Sequence, residues 1–225
     1  VATRYYLPVS GAAPVSPSFN GSWGDTSAAS PDSLSMVTSK SNTALTDKSF
    51  TFSSATAQRY LMRQYVSAQI GVFDFNGNTV SGVVRCVVNS VTNTTCKLSF
   101  YLGLYHTDTT ITDLLALADY DVNTWTATAS TKVFSGVSLP NVQSRNNDRI
   151  ILEWGMGRTG TASGSRTYTE RFGDPSATGD HNLTSGQTTD LDPWFEFTGT
   201  IPAASPDPVG HALVIGQATK RAAFR

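Results

Sequence analysis

Charge is scarce in this 225-residue chain: Asp, Glu, Lys and Arg make up only 15%, against roughly 25% in ordinary soluble domains. Long helices need Glu, Lys and Arg on their exposed faces, so the shortage excludes a helical bundle. Sixteen basic residues against seventeen acidic ones leave a formal net charge of −1. No global field therefore attracts nucleic acid or an anionic membrane surface. Long apolar runs are missing too. "GVVRCVV" and "LLALA" fall far short of the roughly 20 residues that a membrane-spanning helix requires. The opening "VATRYYLPVS" lacks the apolar stretch of a secretory signal, and a start at Val1 fits either loss of an initiator Met or a processed precursor.

Chemistry-bearing residues are equally sparse. The two cysteines, Cys86 and Cys96, lie without a nearby His pair and cannot supply the four ligands of a zinc site. The three histidines, His106, His181 and His211, are scattered and share no HxH or HExxH spacing; each reads as a polar loop residue. There is no GxSxG, no P-loop and no dinucleotide fingerprint, because the glycines of "GMGRTGTASGSR" precede a strand and do not open a helix. No nucleophile, base and orienting group stand together, so no enzymatic activity is expected.

What the chain has in abundance is Ser and Thr, roughly a quarter of all residues, on β-prone alternating segments. "SFTFSS", "RYLMRQYVS", "GVVRCVVNS", "TTCKLSFYLGLYH", "NTWTATASTKVFSG", "DRIILEWGMGR", "SRTYTERFGD" and "PWFEFTGTI" all read as strands. In the clearest, Cys96, Leu98, Phe100, Leu102 and Leu104 share one face, opposite Lys97, Ser99, Tyr101 and Tyr105. Asn76-Gly77 is a turn signal. One helix of about two turns is expected in "TDTTITDLLALADYD", with Thr or Asp as N-cap. About eight to ten strands with turn signals between them predict an all-β fold, an antiparallel β-sandwich of jelly-roll type.

Irregular segments flank this pattern. Residues 1–33, with Pro8, Pro14 and Pro17, read as an N-terminal arm; 34–201 as the sandwich domain; and 202–225, after Pro202, Pro206 and Pro208, as a C-terminal arm ending basic. Tyr5, Tyr6, Phe19 and Trp23 on the first arm, and Leu213, Val214 and Ile215 on the second, are the candidate interface residues. The surface they cover is either the chain's own core or a neighbouring subunit.

Other candidates carry competing readings. If the strands fold back around Ser90 to Thr92, Cys86 and Cys96 oppose each other and either form a cross-strand disulfide or stay as packed thiols. The loop between "RTYTERF" and "PWFEF" is far longer than a hairpin turn and so is a candidate functional loop. Its Asp174, Asp180 and Asp190 are candidate Ca²⁺ ligands, although no calcium-loop spacing is present and acidic loop residues also form turns. A glycosidase pair drawn from such carboxylates would need about 5 to 9.5 Å between them. Trp125, Trp154 and Trp194 either stack on sugar rings or fill the core.

Several of these stretches together resemble an uncharacterised family of virion structural proteins from tailed phages and environmental viruses. They are "RYYLPVSGAAPVSPSFNGSW", "LMRQYVS", "DRIILEWG" and "RFGDPSATGDHNLTSGQTTDLDPWFEF", spread over most of residues 1 to 200. The resemblance implies a virion component and transfers no catalytic residue; the final arm shows no such likeness. Expected partners are copies of the chain and other virion proteins, in the capsid exterior or the tail, with no nucleic acid, no membrane and no obligatory cofactor. A carbohydrate-binding module or receptor-binding adhesin that takes a surface glycan is the alternative.

Overall fold

The computed structural model describes residues 1–40, 45–52, 57–89, 95–120, 125–159, 165–172 and 179–206. Among them are eleven strands and no helix: β1 (Thr3–Tyr6), β2 (Asp32–Ser35), β3 (Thr46–Phe52), β4 (Gln58–Val66), β5 (Thr79–Val88), β6 (Thr95–Tyr105), β7 (Ile111–Asp119), β8 (Ser130–Ser138), β9 (Arg149–Thr159), β10 (Arg166–Phe172) and β11 (Trp194–Phe197).

Two sheets result. In the first, β5 carries β8 along one edge; on its other edge β11 pairs with Val80–Val83 and β10 with Arg85–Val88, end to end. β1 then lies outside β11, and β3 outside β10. The second sheet has the order β2-β4-β9-β6-β7, antiparallel except for the parallel β2–β4 pair. The sheets face each other through aromatic side chains: Phe50 meets Tyr60 at 5.1 Å between centroids, Tyr65 meets Phe172 at 6.4 Å, and Phe100 meets Phe134 at 4.1 Å. Each such pair contributes about 0.5–1.5 kcal/mol beyond the area it buries. Cys96, Leu98, Phe100, Leu102 and Leu104 all enter this core, as the alternation along β6 predicts.

The helix expected over 107–121 is a strand. Its middle forms β7, paired with β6 through two register shifts at Phe100/Leu102 and Leu102/Gly103. Between Asp113 and Leu115, whose partners Gly103 and Leu102 are adjacent, Leu114 is the extra residue and is buried. An inserted residue of this kind breaks the period of two and makes a strand read as a short helix.

Residues 1–33 do not stand apart from the domain. β1 is a sheet member in register with β11, Tyr5 opposite Phe195, and β2 pairs with β4. The proline-rich stretch between them starts at the sheet edge, where the hydroxyl of the inward-facing Tyr65 donates to Pro8 O (3.2 Å), and crosses the outer face of the second sheet, where Gln64 Nε2 donates to Pro17 O (3.3 Å). Gly155 makes this approach feasible, since a Cβ there would collide with the Tyr60 carbonyl oxygen and crowd the Trp23 ring. At the other end, residues 202–204 also join the domain: Gly71 N–H donates to Pro202 O (2.8 Å) and Ala204 N–H to Gln69 O (3.3 Å).

Candidate functional site

The predicted interface aromatics of the first segment serve the chain's own fold. Tyr5 is buried and stacks on Phe195 at 5.3 Å. Trp23 is buried and its Nε1–H donates to Glu153 Oε2 (2.6 Å). Tyr6 is half-buried, its hydroxyl donating to Asp180 (2.9 Å), and Phe19 is half-buried. Trp125, Trp154 and Trp194 are core residues, which leaves none of the three for stacking on a sugar. Leu213, Val214 and Ile215 lie outside the described residues.

Of the candidate calcium ligands, Asp174 lies outside the described residues. Asp180 is engaged by Arg4 Nη1 (2.6 Å) and Lys40 Nζ (3.8 Å), and Asp190 by Arg85 and, at 3.7 Å, by Arg171. Both carboxylates therefore sit among cations. Arg4 also lies over the Trp194 ring at 3.8 Å and donates to Glu196 (3.0 Å), so it ties β1 to β11 as well as to the loop that carries Asp180.

The described part of that loop, 179–192, is ordered by its own chain. Thr131 exchanges backbone and side-chain hydrogen bonds with Gly186 and Gln187, and Trp194 Nε1–H donates to His181 O (3.1 Å). His181 and Asp192 are buried.

Cys86 and Cys96 are not hairpin partners. Cys86 lies on β5 opposite Glu170 and Ser130, in the first sheet; Cys96 lies on β6 opposite Arg158, in the second. β5 and β6, which flank residues 90–94, belong to different sheets, so the two cysteines form no cross-strand pair. Both are buried, and burial pushes the Cys96 thiol up to about 11.

Three polar arrangements went unseen in the sequence. Glu153, on the outer face of β9, is fully buried beneath the N-terminal segment and accepts from Asn20 N (2.9 and 3.1 Å), Trp23 Nε1 and Gln64 Nε2 (3.1 Å). Burial raises its pKa, and these donors oppose the rise. His106, read as a lone loop residue, is buried with Nδ1 2.9 Å from Asp148 Oδ2 and Nε2 2.8 Å from Thr112 Oγ1. It ties the β6–β7 turn to the segment before β9.

The third arrangement lines a pocket of about 320 Å³ beside the N-terminal segment, formed by Ser22, Gly24, Gln58, Arg59, Asp119 and Arg158, with Ala57 at its edge. Arg59 Nε–H donates to Asp119 Oδ1 (2.7 Å), and Ser99 Oγ–H donates to the same oxygen (2.6 Å). Gly157 leaves room for this, since a Cβ there would strike the Asp119 carboxylate and the Ser99 hydroxyl. Arg59 and Arg158 bring two guanidinium groups and Asp119 one carboxylate to the lining. Ser22, Arg59, Asp119 and Arg158 are far apart in sequence and form no motif, so only the fold assembles them.

The fold defines the class as an all-β sandwich. No protein-family model matches the chain, and no curated protein matches it. Among solved structures, the chain is similar to one of infectious bursal disease virus, Gt strain, at 12% identity and a TM-score of 0.22, with 80% of this chain and 51% of that chain covered. A structure of the Gx strain gives 11% identity and a TM-score of 0.20, with 83% and 50% covered. The chain spans about half the length of these neighbours. Likeness at this level carries no argument about function.

Proposed function

We propose that the chain is a virion structural protein of a tailed bacteriophage, a capsid-decorating, tail or fibre component that acts through contacts with copies of itself and with other virion proteins. What supports this reading is the sequence resemblance, together with one observation about where its stretches lie. "RYYLPVSGAAPVSPSFNGSW" contributes β1 and the segment over the second sheet; "LMRQYVS" and "DRIILEWG" are the strands beneath that segment; "PWFEF" is the partner of β1. The stretches that carry the resemblance are thus neighbours in space, as they would be if a folded module were shared. The reading includes no enzymatic turnover.

Light scattering and negative-stain imaging of the full chain test it. Rings, tubes or decoration of phage particles are the expected result; a monomer that neither self-associates at high concentration nor binds particles would overturn it. A second reading, a carbohydrate-binding module or receptor-binding adhesin, is favoured by the Arg59–Asp119 pocket, whose small size suits a single sugar residue.

A further inference from the structure

We infer that a different pocket, where the β6–β7 turn meets the segment before β9, is a binding site for a carboxylated sugar, with Arg149 as the anchor of the carboxylate. The inference rests on the second reading above and names its ligand class. At about 300 Å³ the pocket sits at the lower end of the range for small-molecule sites, which limits the occupant to a small ligand such as one sugar residue. Arg149, the first residue of β9, is half-buried, and its Nη1–H donates to Ser67 O (2.9 Å). That bond fixes the guanidinium and leaves its Nε and Nη2 edge without a hydrogen-bond partner among the described residues. No carboxylate of the described residues pairs with Arg149. Asp108 pairs with Arg145 (3.2 Å), and the buried Asp148 accepts from Arg145 N–H (2.7 Å) and meets His106 Nδ1 at 2.9 Å. Burial lowers the Arg149 pKa, and no acidic neighbour counters the drop.

The backbone around this pocket is set before any ligand arrives. Three non-glycine residues among those described adopt left-handed φ, and two of them, Thr109 (68°) and Asn147 (74°), line it. Thr109 N–H is held on His106 O (3.0 Å) and Asn147 N–H on Ile70 O (2.9 Å). Left-handed φ is a genuine outlier for a β-branched residue, and strain of this kind gathers at ligand clamps. The free Nε and Nη2 edge of Arg149 is a planar fork that matches the two oxygens of a carboxylate. One guanidinium balances one carboxylate and falls short of a doubly charged phosphate. The hydroxyls of Thr107 and Thr109 and the side-chain amides of Gln69 and Asn147 have no hydrogen-bond partner among the described residues, and each can both donate and accept, as sugar hydroxyls require. Tyr105 and Val15 add apolar surface for the C–H face of a ring. None of the exposed large apolar side chains that would anchor a peptide, Val72, Ile111 and Leu183, lines the pocket.

NMR titration of the full chain with glucuronate, glucose, acetate and glucose 6-sulfate separates these ligands. Glucuronate is expected to shift the resonances of Tyr105, Thr107 and Arg149, and to bind about tenfold more tightly than each of the others, the affinity falling as salt is raised. Arg149→Lys, which keeps the charge and loses the fork, is expected to weaken glucuronate about tenfold. Thr107→Ala, at an exposed position, serves as the second variant and is expected to weaken it less. Binding of glucose, acetate or the sulfate as tight as that of glucuronate would overturn the inference. So would shifts confined to Gln58 and Arg59, unchanged affinity in a folded Arg149→Lys protein, or unchanged affinity in Thr107→Ala. If glucose binds while glucuronate does not, the inference falls and the carbohydrate reading stands; if no sugar binds, both fall.

Discussion

Two glutamates are fully removed from solvent in this sandwich, and they are treated in opposite ways. Glu153, on the outer face of the second sheet, is surrounded by donors that the N-terminal segment and Gln64 bring to it. Glu170, on β10, faces the core between the sheets, and neither of its oxygens has a hydrogen-bond partner among the described residues. Burial raises the Glu170 carboxyl to about 8; the nearby Arg63, Trp154 and Lys48 pull the other way without offsetting it. A buried carboxylate with its donors in place fastens two layers together, whereas one without them is carried as a neutral acid.

The largest effect should come from removing the donors of Glu153 wholesale. Deleting residues 1–24 takes away Asn20, Trp23 and β1 together, which uncovers the outer face of the second sheet around Glu153, removes the buried Tyr5, Leu7 and Trp23 and leaves β11 without its outer neighbour. The cooperative thermal transition is expected to be lost in calorimetry, because each large buried apolar side chain alone contributes about 1.5–3 kcal/mol. A truncated chain that melts like the parent would show that the segment is dispensable to the domain.

Next comes Glu170→Gln. Below about pH 4.5, the ordinary glutamate value, both the folded and the unfolded chain hold the proton and the residue has no pH-linked effect. Between that value and about 8 only the unfolded chain releases it, so stability is lost as pH rises through this window. The amide cannot ionise. The variant should therefore match the parent at pH 4 and exceed it at pH 8 by on the order of 4 kcal/mol; equal pH dependence of the two melting temperatures would mean that Glu170 is not held neutral.

A smaller loss is expected for Trp23→Phe, which keeps an aromatic ring and removes the hydrogen bond to Glu153 together with the indole edge that lies against Gly155. A hydrogen bond to a charged group contributes about 1.5–3 kcal/mol, measurable as a shift of the denaturant midpoint. Smallest of all should be Asp180→Asn. Its ion pairs with Arg4 and Lys40 are about a third exposed on the aspartate side, and solvent screening holds such pairs to about 1 kcal/mol or less. A larger change would mean that the Arg4 network acts as a unit.

The strands were legible because alternation survives wherever a strand has one buried face, and β6 carries five core residues at every second position. β7 was not, since its register shifts place Leu114 out of phase. Pro8, Pro14 and Pro17 do break regular structure as expected, yet the polar groups nearby are satisfied by Tyr65, Gln64 and Glu153 on strands well over thirty residues away. The same distance hid the cations beside Asp180 and Asp190, which come from β1, β5 and β10 and from Lys40. Cysteines ten apart suggested a hairpin because nothing local shows that a turn passes the chain from one sheet to the other.

The pairing of β1 with β11 also sets a schedule. Arg4 and Glu196, joined across this edge, are separated by 192 positions, so apart from the bridge between Tyr6 and Val37 the first strand has no partner until nearly all of the described residues have left the ribosome. Closing so long a loop is slow and exposes the unpaired strand in the meantime. Docking of β1 should accordingly be a late event in biogenesis, and an early stop before Trp194 should yield a chain that aggregates with its opening strand still seeking an edge.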